Sequence, residues 1–265
     1  MIWLKNASEN VPPVPIPPFF PFIWLDGLDA STFTLFGTAV NGWQNKGTGG
    51  GTFTKPYATT RACSRTPDGV NFDNANHVNG AVPNDLSAVL ECSMPLAAAP
   101  NWTYFAVISN ITSVFEYRTV LSRRAVGTTK YHSMSLQRQT GQPDELVTIQ
   151  NDIAGNSGRA RALSPTALNW TAKQQVTSVF GSATLTATLN SVPVTGTAAV
   201  GNPRDTIVGS SLLTLGGQRK TVPTVYDTFI NSFKGYIHEV IAYNSALSAP
   251  DIASVNTYLS NRWGL

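Results

Sequence analysis

Phe233–Leu265, FKGYIHEVIAYNSALSAPDIASVNTYLSNRWGL, is the stretch on which the fold is decided. Tyr236–Tyr243 is an apolar, β-prone run with only His238 and Glu239 polar, which predicts a strand buried on at least one face. Asn244 ends it. Ser248 with Asp251 three residues on makes a capping box, and Pro250 sits where a first helical turn tolerates it, so a helix is predicted over 248–262. Ile252, Val255 and Leu259 share one face of that helix. Gly264 closes it, leaving Trp263 and Leu265 as apolar anchors for the C-terminal segment.

Working outward, 265 residues suffice for one large β core, and a single domain with an arm is expected. Only 12% of residues are charged, and Ser, Thr, Asn and Gly are abundant, which suits strands and loops better than long surface helices. The formal charge is +3, and the densest basic pairs are Arg123-Arg124 and Arg219-Lys220, so no nucleic-acid partner is expected. No run approaches the roughly 20 apolar residues of a membrane span. Lys5 is followed by Asn, Ser, Glu and prolines instead of an apolar core, which predicts synthesis in a cytoplasm without a signal peptide. The sequons at Asn6, Asn101, Asn110 and Asn169 then read as chance. Without a secretory signal, Cys63 and Cys92 are expected as thiols. His77, His132 and His238 are scattered, with no zinc-ligand spacing.

Residues 1–22 stand apart from the rest. VPPVPIPPFFPF carries six prolines, which remove backbone donors and favour an extended polyproline-type rod. Between them lie Val14, Ile16, Phe19, Phe20 and Phe22, so the rod is apolar, unlike a solvated linker, and must be covered. Two readings are open: it lies along its own domain, or these five residues dock it into a neighbouring subunit or a larger assembly.

From Trp102 onward the chain alternates in the two-residue rhythm of strands. WTYFAVISN, TSVFEYRTVLSR, YHSMSLQRQ, ELVTIQN, QQVTSVFGS and ATLTATLNSVPV are separated by turn residues, as in a two-sheet antiparallel sandwich. Gly49-Gly50-Gly51 lacks the Lys-Ser/Thr and the helix of a phosphate-binding loop and reads as a hairpin turn.

Several segments resemble the concanavalin A-like (laminin-G-like) jelly-roll family, of the kind found in phage virion and bacterial surface proteins. They are the ending GYIHEVIAYNSALS…WGL, the opening Ile23-Trp24-Leu25-Asp26, the tryptophan strand and glycine turn of Val40–Thr54, and Gly69–Asn74. The hairpin Leu185–Val192, turning at Asn190-Ser191, and Leu213–Gly217 follow in the family's order. His238 departs from the small residue of that pattern, and Gln44 from an acidic one. The resemblance covers residues 23–265 and implies an all-β jelly-roll sandwich with a short C-terminal helix.

Candidate chemistry is sparse. Retaining glycosidases need two carboxylates about 5 Å apart. No Glu here has an acidic residue two positions away, and Asp26 and Asp29 would point to opposite faces of a strand. Gly155-Asn156-Ser157-Gly158 is not a nucleophile elbow. Glu239 reads as a hydrogen-bonded structural carboxylate, so the chain is expected not to be an enzyme. Asp73, Asn74 and Asn76 offer three oxygens of the kind calcium takes, the competing reading being Asx turns; no other cofactor is expected. The aromatics left over from core-like patterns, and so candidates for stacking on a sugar, are Tyr57, Tyr117, Tyr131 and Trp170.

The resemblance therefore implies a non-enzymatic, virion-associated structural protein, a capsid decoration or tail-associated protein made in the host cytoplasm. Its partners would be virion proteins or its own copies. The alternative is a glycan-binding adhesion or receptor-recognition module.

Overall fold

The computed structural model describes residues 15–56, 62–72, 88–94, 101–109, 111, 116–125, 131–138, 145–151, 157–163, 171–181, 185–193, 198–199, 211–219, 229–230 and 232–265. The first half of the chain forms β1 (Ile23–Asp26), a 3-10 turn (Ala30–Thr32), β2 (Phe33–Phe36), β3 (Ala39–Gln44), β4 (Thr52–Thr54), β5 (Cys63–Thr66), β6 (Gly69–Phe72), β7 (Leu90–Met94), β8 (Trp102–Ser109) and β9 (Glu116–Ala125). There follow β10 (Tyr131–Arg138), β11 (Glu145–Asn151), β12 (Ser157–Leu163), β13 (Gln174–Phe180), β14 (Leu185–Leu189), β15 (Val192–Pro193), β16 (Ala198–Ala199), β17 (Ser211–Leu215), β18 (Gln218–Arg219), β19 (Phe229–Ile230), β20 (Gly235–Tyr243) and helix α1 (Ala249–Trp263).

β20 is the axis of the molecule. One of its edges pairs with β8, and the other with β6 through Ile237↔Val70 and with β1 through Trp24↔Ile241 and Asp26↔Glu239. β8 continues into β13, β14 and β15. From β6 the ladder runs through β5, β3, β4, β7, β17, β9, β10, β11 and β12 to β16. Every one of these ladders is antiparallel, and the ribbon curls back on itself into a β-sandwich, as the sequence predicts.

The apolar character of β20 now has its cause, because both faces are covered. Ile237, Val240 and Ala242 join the interior with Trp43, Trp102, Tyr104, Phe72 and Phe180, while Ile241 and Tyr243 face outward. There they meet Trp24, Phe105 and Val107, and α1 caps them with Val255, Leu259 and Trp263. Fully burying such side chains contributes roughly 1.5–3 kcal/mol each, which makes the helix part of the fold and not an appendage.

Helix α1 starts as read. Ser248 is its N-cap, its hydroxyl accepting from Asp251 N and donating to the Asp251 carboxylate at 2.7 Å. Gly264, at φ +68°, closes it with a 2.9 Å bond from its N–H to the Ser260 carbonyl. Leu265 corrects the expectation of an anchor: it is exposed, and Trp263 alone tucks in. Asn190 and Ser191, at φ +47° and +66°, make the two-residue hairpin between β14 and β15. Cys63 and Cys92 are buried free thiols. Arg123 and Arg124, one of the two densest basic pairs, are buried, and Arg123 lies 4.6 Å from the Trp102 ring centroid.

Candidate functional site

The first candidate is the arm. Its described part, Pro15–Phe22, lies along its own domain, as one of the two readings held, but does not run as a straight rod. Phe19 and Phe20 stand at φ +63° and +47°, a left-handed region that side-chain-bearing residues rarely occupy, and this turns the chain. The turn is held from both sides. Tyr243 donates to the Pro18 carbonyl at 2.5 Å, and Tyr258 and Arg262 reach the Pro15 carbonyl at 3.4 and 3.5 Å. Thr48 N and Gly49 N donate to the carbonyls of Pro21 and Phe22, each at 2.9 Å. The glycine-rich hairpin is thereby explained: a Cβ on Gly49 would lie 2.6 Å from the Phe22 ring.

Of the predicted docking residues, Phe22 turns inward, edge-on to Trp102 with centroids 5.7 Å apart. Ile16, Phe19 and Phe20 are 65%, 51% and 80% exposed. Val14 lies outside the described residues.

A second cluster holds the carboxylates. Asp26 and Glu239 face each other across the β1–β20 ladder, a meeting that spacing along the sequence could not reveal. Both are fully buried. Glu239 Oε1 accepts from Trp24 Nε1 and the Tyr258 hydroxyl, each at 2.9 Å; Oε2 accepts from Trp263 Nε1 at 2.5 Å and lies 3.3 Å from Arg262 Nε. Asp26 accepts from Leu28 N at 3.1 Å, Arg262 Nη2 at 2.6 Å and Lys46 Nζ at 3.1 Å. Lys46 also reaches Asp29 at 2.7 Å, so the two aspartates that strand geometry would separate share one cation, Asp29 having left the strand for the 3-10 turn.

Burial pushes the Glu239 carboxyl up, while Arg262 and the Trp263 and Tyr258 donors pull it back. Arg262 is raised as well: burial would lower it, but Glu239, Tyr258 and Asp26 outweigh that. The arrangement clasps α1 to β1 and β20, and leaves neither carboxylate open to solvent.

Beside this cluster, His238 occupies a bulge where the β20–β8 register slips. It is buried; its Nδ1 bonds the Asp68 carbonyl at 2.9 Å and its Nε2 the Ser109 hydroxyl at 2.7 Å. A carbonyl only accepts, so Nδ1 carries the proton and Nε2 accepts from Ser109. Burial lowers its pKa, against the pull of Asp68. The bulge also explains Gly27, whose N–H bonds the His238 carbonyl at 2.9 Å and where a Cβ would lie 2.1 Å from that oxygen.

A third feature was not read from the sequence. Between α1 and β14 lies a groove of about 580 Å³, lined by Ala249, Ala253, Asn256 and Thr257 on one side and Thr186 and Thr188 on the other. No lining side chain is ionisable. Its signal in the sequence was a stripe of small residues, Ala249, Ala253, Asn256 and Ser260, along the helix face beside the one predicted to be buried.

Of the sugar-stacking candidates, the two that the described residues include, Tyr117 and Tyr131, are not brought together. Tyr117 pairs with Gln137, and Tyr131 with Arg124, placing the two at opposite ends of the β9–β10 ladder, about 20 Å apart along the strands. Tyr57, Trp170 and the calcium candidates Asp73, Asn74 and Asn76 lie outside the described residues. Among the described residues no helix is long and apolar enough to cross a membrane.

No family model matches the sequence, and no curated protein does. Among solved structures, the fold is similar to Trypanosoma rangeli sialidase in complex with 2,3-difluorosialic acid, at TM-score 0.51 and 14% identity over 92% of this chain and 34% of that one. It also matches a heptameric SAP-like pentraxin from Limulus polyphemus (TM-score 0.47, 13% identity, 70% of this chain and 78% of that one). The CBM40 of Ruminococcus gnavus IT-sialidase gives TM-score 0.46 and 13% identity over 60% of this chain and 83% of that one. This chain spans about a third of the sialidase, and what it shares with it is a β-sandwich fold.

Proposed function

We propose that this chain is a non-enzymatic structural module of the concanavalin A-like class, carried on a virion as a capsid decoration or tail-associated protein and seated through its N-terminal arm. The observation that supports this most is the Phe19-Phe20 turn. Two left-handed residues cost on the order of 1–3 kcal/mol each, yet the backbone is fixed by Tyr243, Tyr258 and the Gly47–Gly49 hairpin while Phe19 and Phe20 stay largely exposed. Apolar side chains presented on an ordered backbone lose little further entropy on docking. The buried, donor-saturated state of Asp26 and Glu239 supports the absence of catalysis.

The double variant Phe19→Ser/Phe20→Ser tests the reading, alongside deletion of residues 1–20. Both should fold, melt within a few degrees of the parent and fail to copurify with particles. Incorporation at wild-type levels by either would defeat the assembly role.

A second reading, a glycan-binding adhesion module, is favoured by the uncharged, largely apolar groove between α1 and β14, which Thr186, Thr188, Ser191, Thr257 and Ser260 edge with hydroxyls. Saturable binding on a glycan array by the Phe19→Ser/Phe20→Ser protein would support it independently of the arm.

A further inference from the structure

We infer that the groove between α1 and β14 is a binding site for a neutral sugar bearing an acetamido group; this rests on the glycan-binding reading above. The groove's volume, about 580 Å³, falls within the roughly 300–1,000 Å³ of small-ligand sites. It is kept open by the helix itself. Ala249, Ala253, Asn256 and Ser260 recur at the spacing of one helix face and are small, whereas the neighbouring face carries the large side chains Leu259 and Trp263 into the domain.

The ligand chemistry follows from what lines the groove. With no ionisable side chain, it offers nothing to match a carboxylate or a phosphate, which sets it against sialylated ligands. Asn256 is the anchor. It is only 5% exposed, and its Oδ1 accepts from Gln175 Nε2 and from Thr177 Oγ1 at 3.3 Å. Its amide nitrogen has no partner among the described residues. That nitrogen is not sealed in the interior but lies on the groove lining, where an acetamido carbonyl is a strong acceptor for its free N–H. Beside it, Ala253 and Ile252 offer a surface for the acetamido methyl, and Thr186 and Thr257 stand at the walls for ring hydroxyls.

The test is a titration of the ¹⁵N-labelled full chain with N,N′-diacetylchitobiose, with cellobiose and sialyllactose as comparisons. Diacetylchitobiose should shift amides of Thr186–Thr188 and Ala249–Ser260, and should bind at least tenfold more tightly than either comparison sugar. Ala253 is exposed, so Ala253→Trp fills the groove without touching the core and should weaken binding at least tenfold at unchanged melting temperature. Asn256→Asp keeps the acceptor for Gln175 and Thr177 while removing the free donor, and should weaken binding similarly. Diacetylchitobiose binding that survives Ala253→Trp would overturn the groove as the site and leave the glycan-binding reading standing. Equal affinity for cellobiose or sialyllactose would overturn the acetamido assignment, and no binding of any sugar by the wild type would overturn both inference and reading.

Discussion

Arg262, on the last turn of α1, donates Nη2 to Asp26 Oδ1 at 2.6 Å, ion-pairing the end of the chain to its first strand. The Asp26 side chain is wholly buried and Arg262 only 5% exposed, so the pair belongs to the interior, where removing one partner of a salt bridge costs about 3–5 kcal/mol. Arg262→Met should lower stability by that order in urea titration. Asp26 keeps Lys46, so the stranded charge is Glu239, and adding Glu239→Gln should recover much of the loss. A lone Arg262→Met that unfolds at the wild-type midpoint would dismiss the clasp.

His238 sets a pH dependence. Its folded pKa lies below the ordinary 6.5 because of burial, so between that folded value and 6.5 the unfolded chain binds more protons. Its contribution is complete above about pH 6.5 and is lost as the pH falls through that window. Unfolding midpoints of wild type and His238→Gln, compared from pH 8 to pH 5, should converge on acidification. Parallel profiles would mean that His238 titrates alike in both states.

Two glycines separate crowding from backbone preference. Gly27→Ala would put a methyl 2.1 Å from the His238 carbonyl, and overpacking against backbone costs typically 1–3 kcal/mol or more. Gly37, at φ +59° with nothing within 4 Å of a Cβ, should cost only about 1 kcal/mol on substitution by Ala. Thermal melts of the two variants should rank in that order.

Ser191 occupies the second left-handed position of the β14–β15 hairpin, where glycine is the unstrained choice. Ser191→Gly should stabilise the protein by up to about 1 kcal/mol, read as a rise in melting temperature. A fall would show that the Ser191 side chain contributes more than its backbone strain removes.

Much of the fold was legible because it rests on local rules. The capping box at Ser248, the Gly264 stop, the Asn190-Ser191 turn and the two-residue rhythm of Glu145–Asn151 each carry their own short-range chemistry. Strand β12 was not read, since SGRARAL has no β-branched or aromatic residue and takes its conformation from β11 and β16. The clusters were hidden for a different reason. Asp26 meets Glu239 only through strand register, and the groove exists only where α1 lies beside β14. Glu239 was read correctly as a bonded carboxylate, but none of its four partners could be named from the sequence.

The pairing of β1 with β20 also fixes when this protein can fold during its own synthesis. Ile23 leaves the ribosome first and finds Ala242 only after more than 200 further residues have been made, a delay on the order of 10–40 s at ordinary translation rates. β8 and β6 wait for β20 in the same way. The nascent chain therefore carries unpaired, apolar strand edges until β20 has emerged, and a ribosome stalled before then holds a chain open to chaperones and proteases. Closure is built into the order of the strands: the edges of β1, β6 and β8 that face β20 are covered only once β20 has been made.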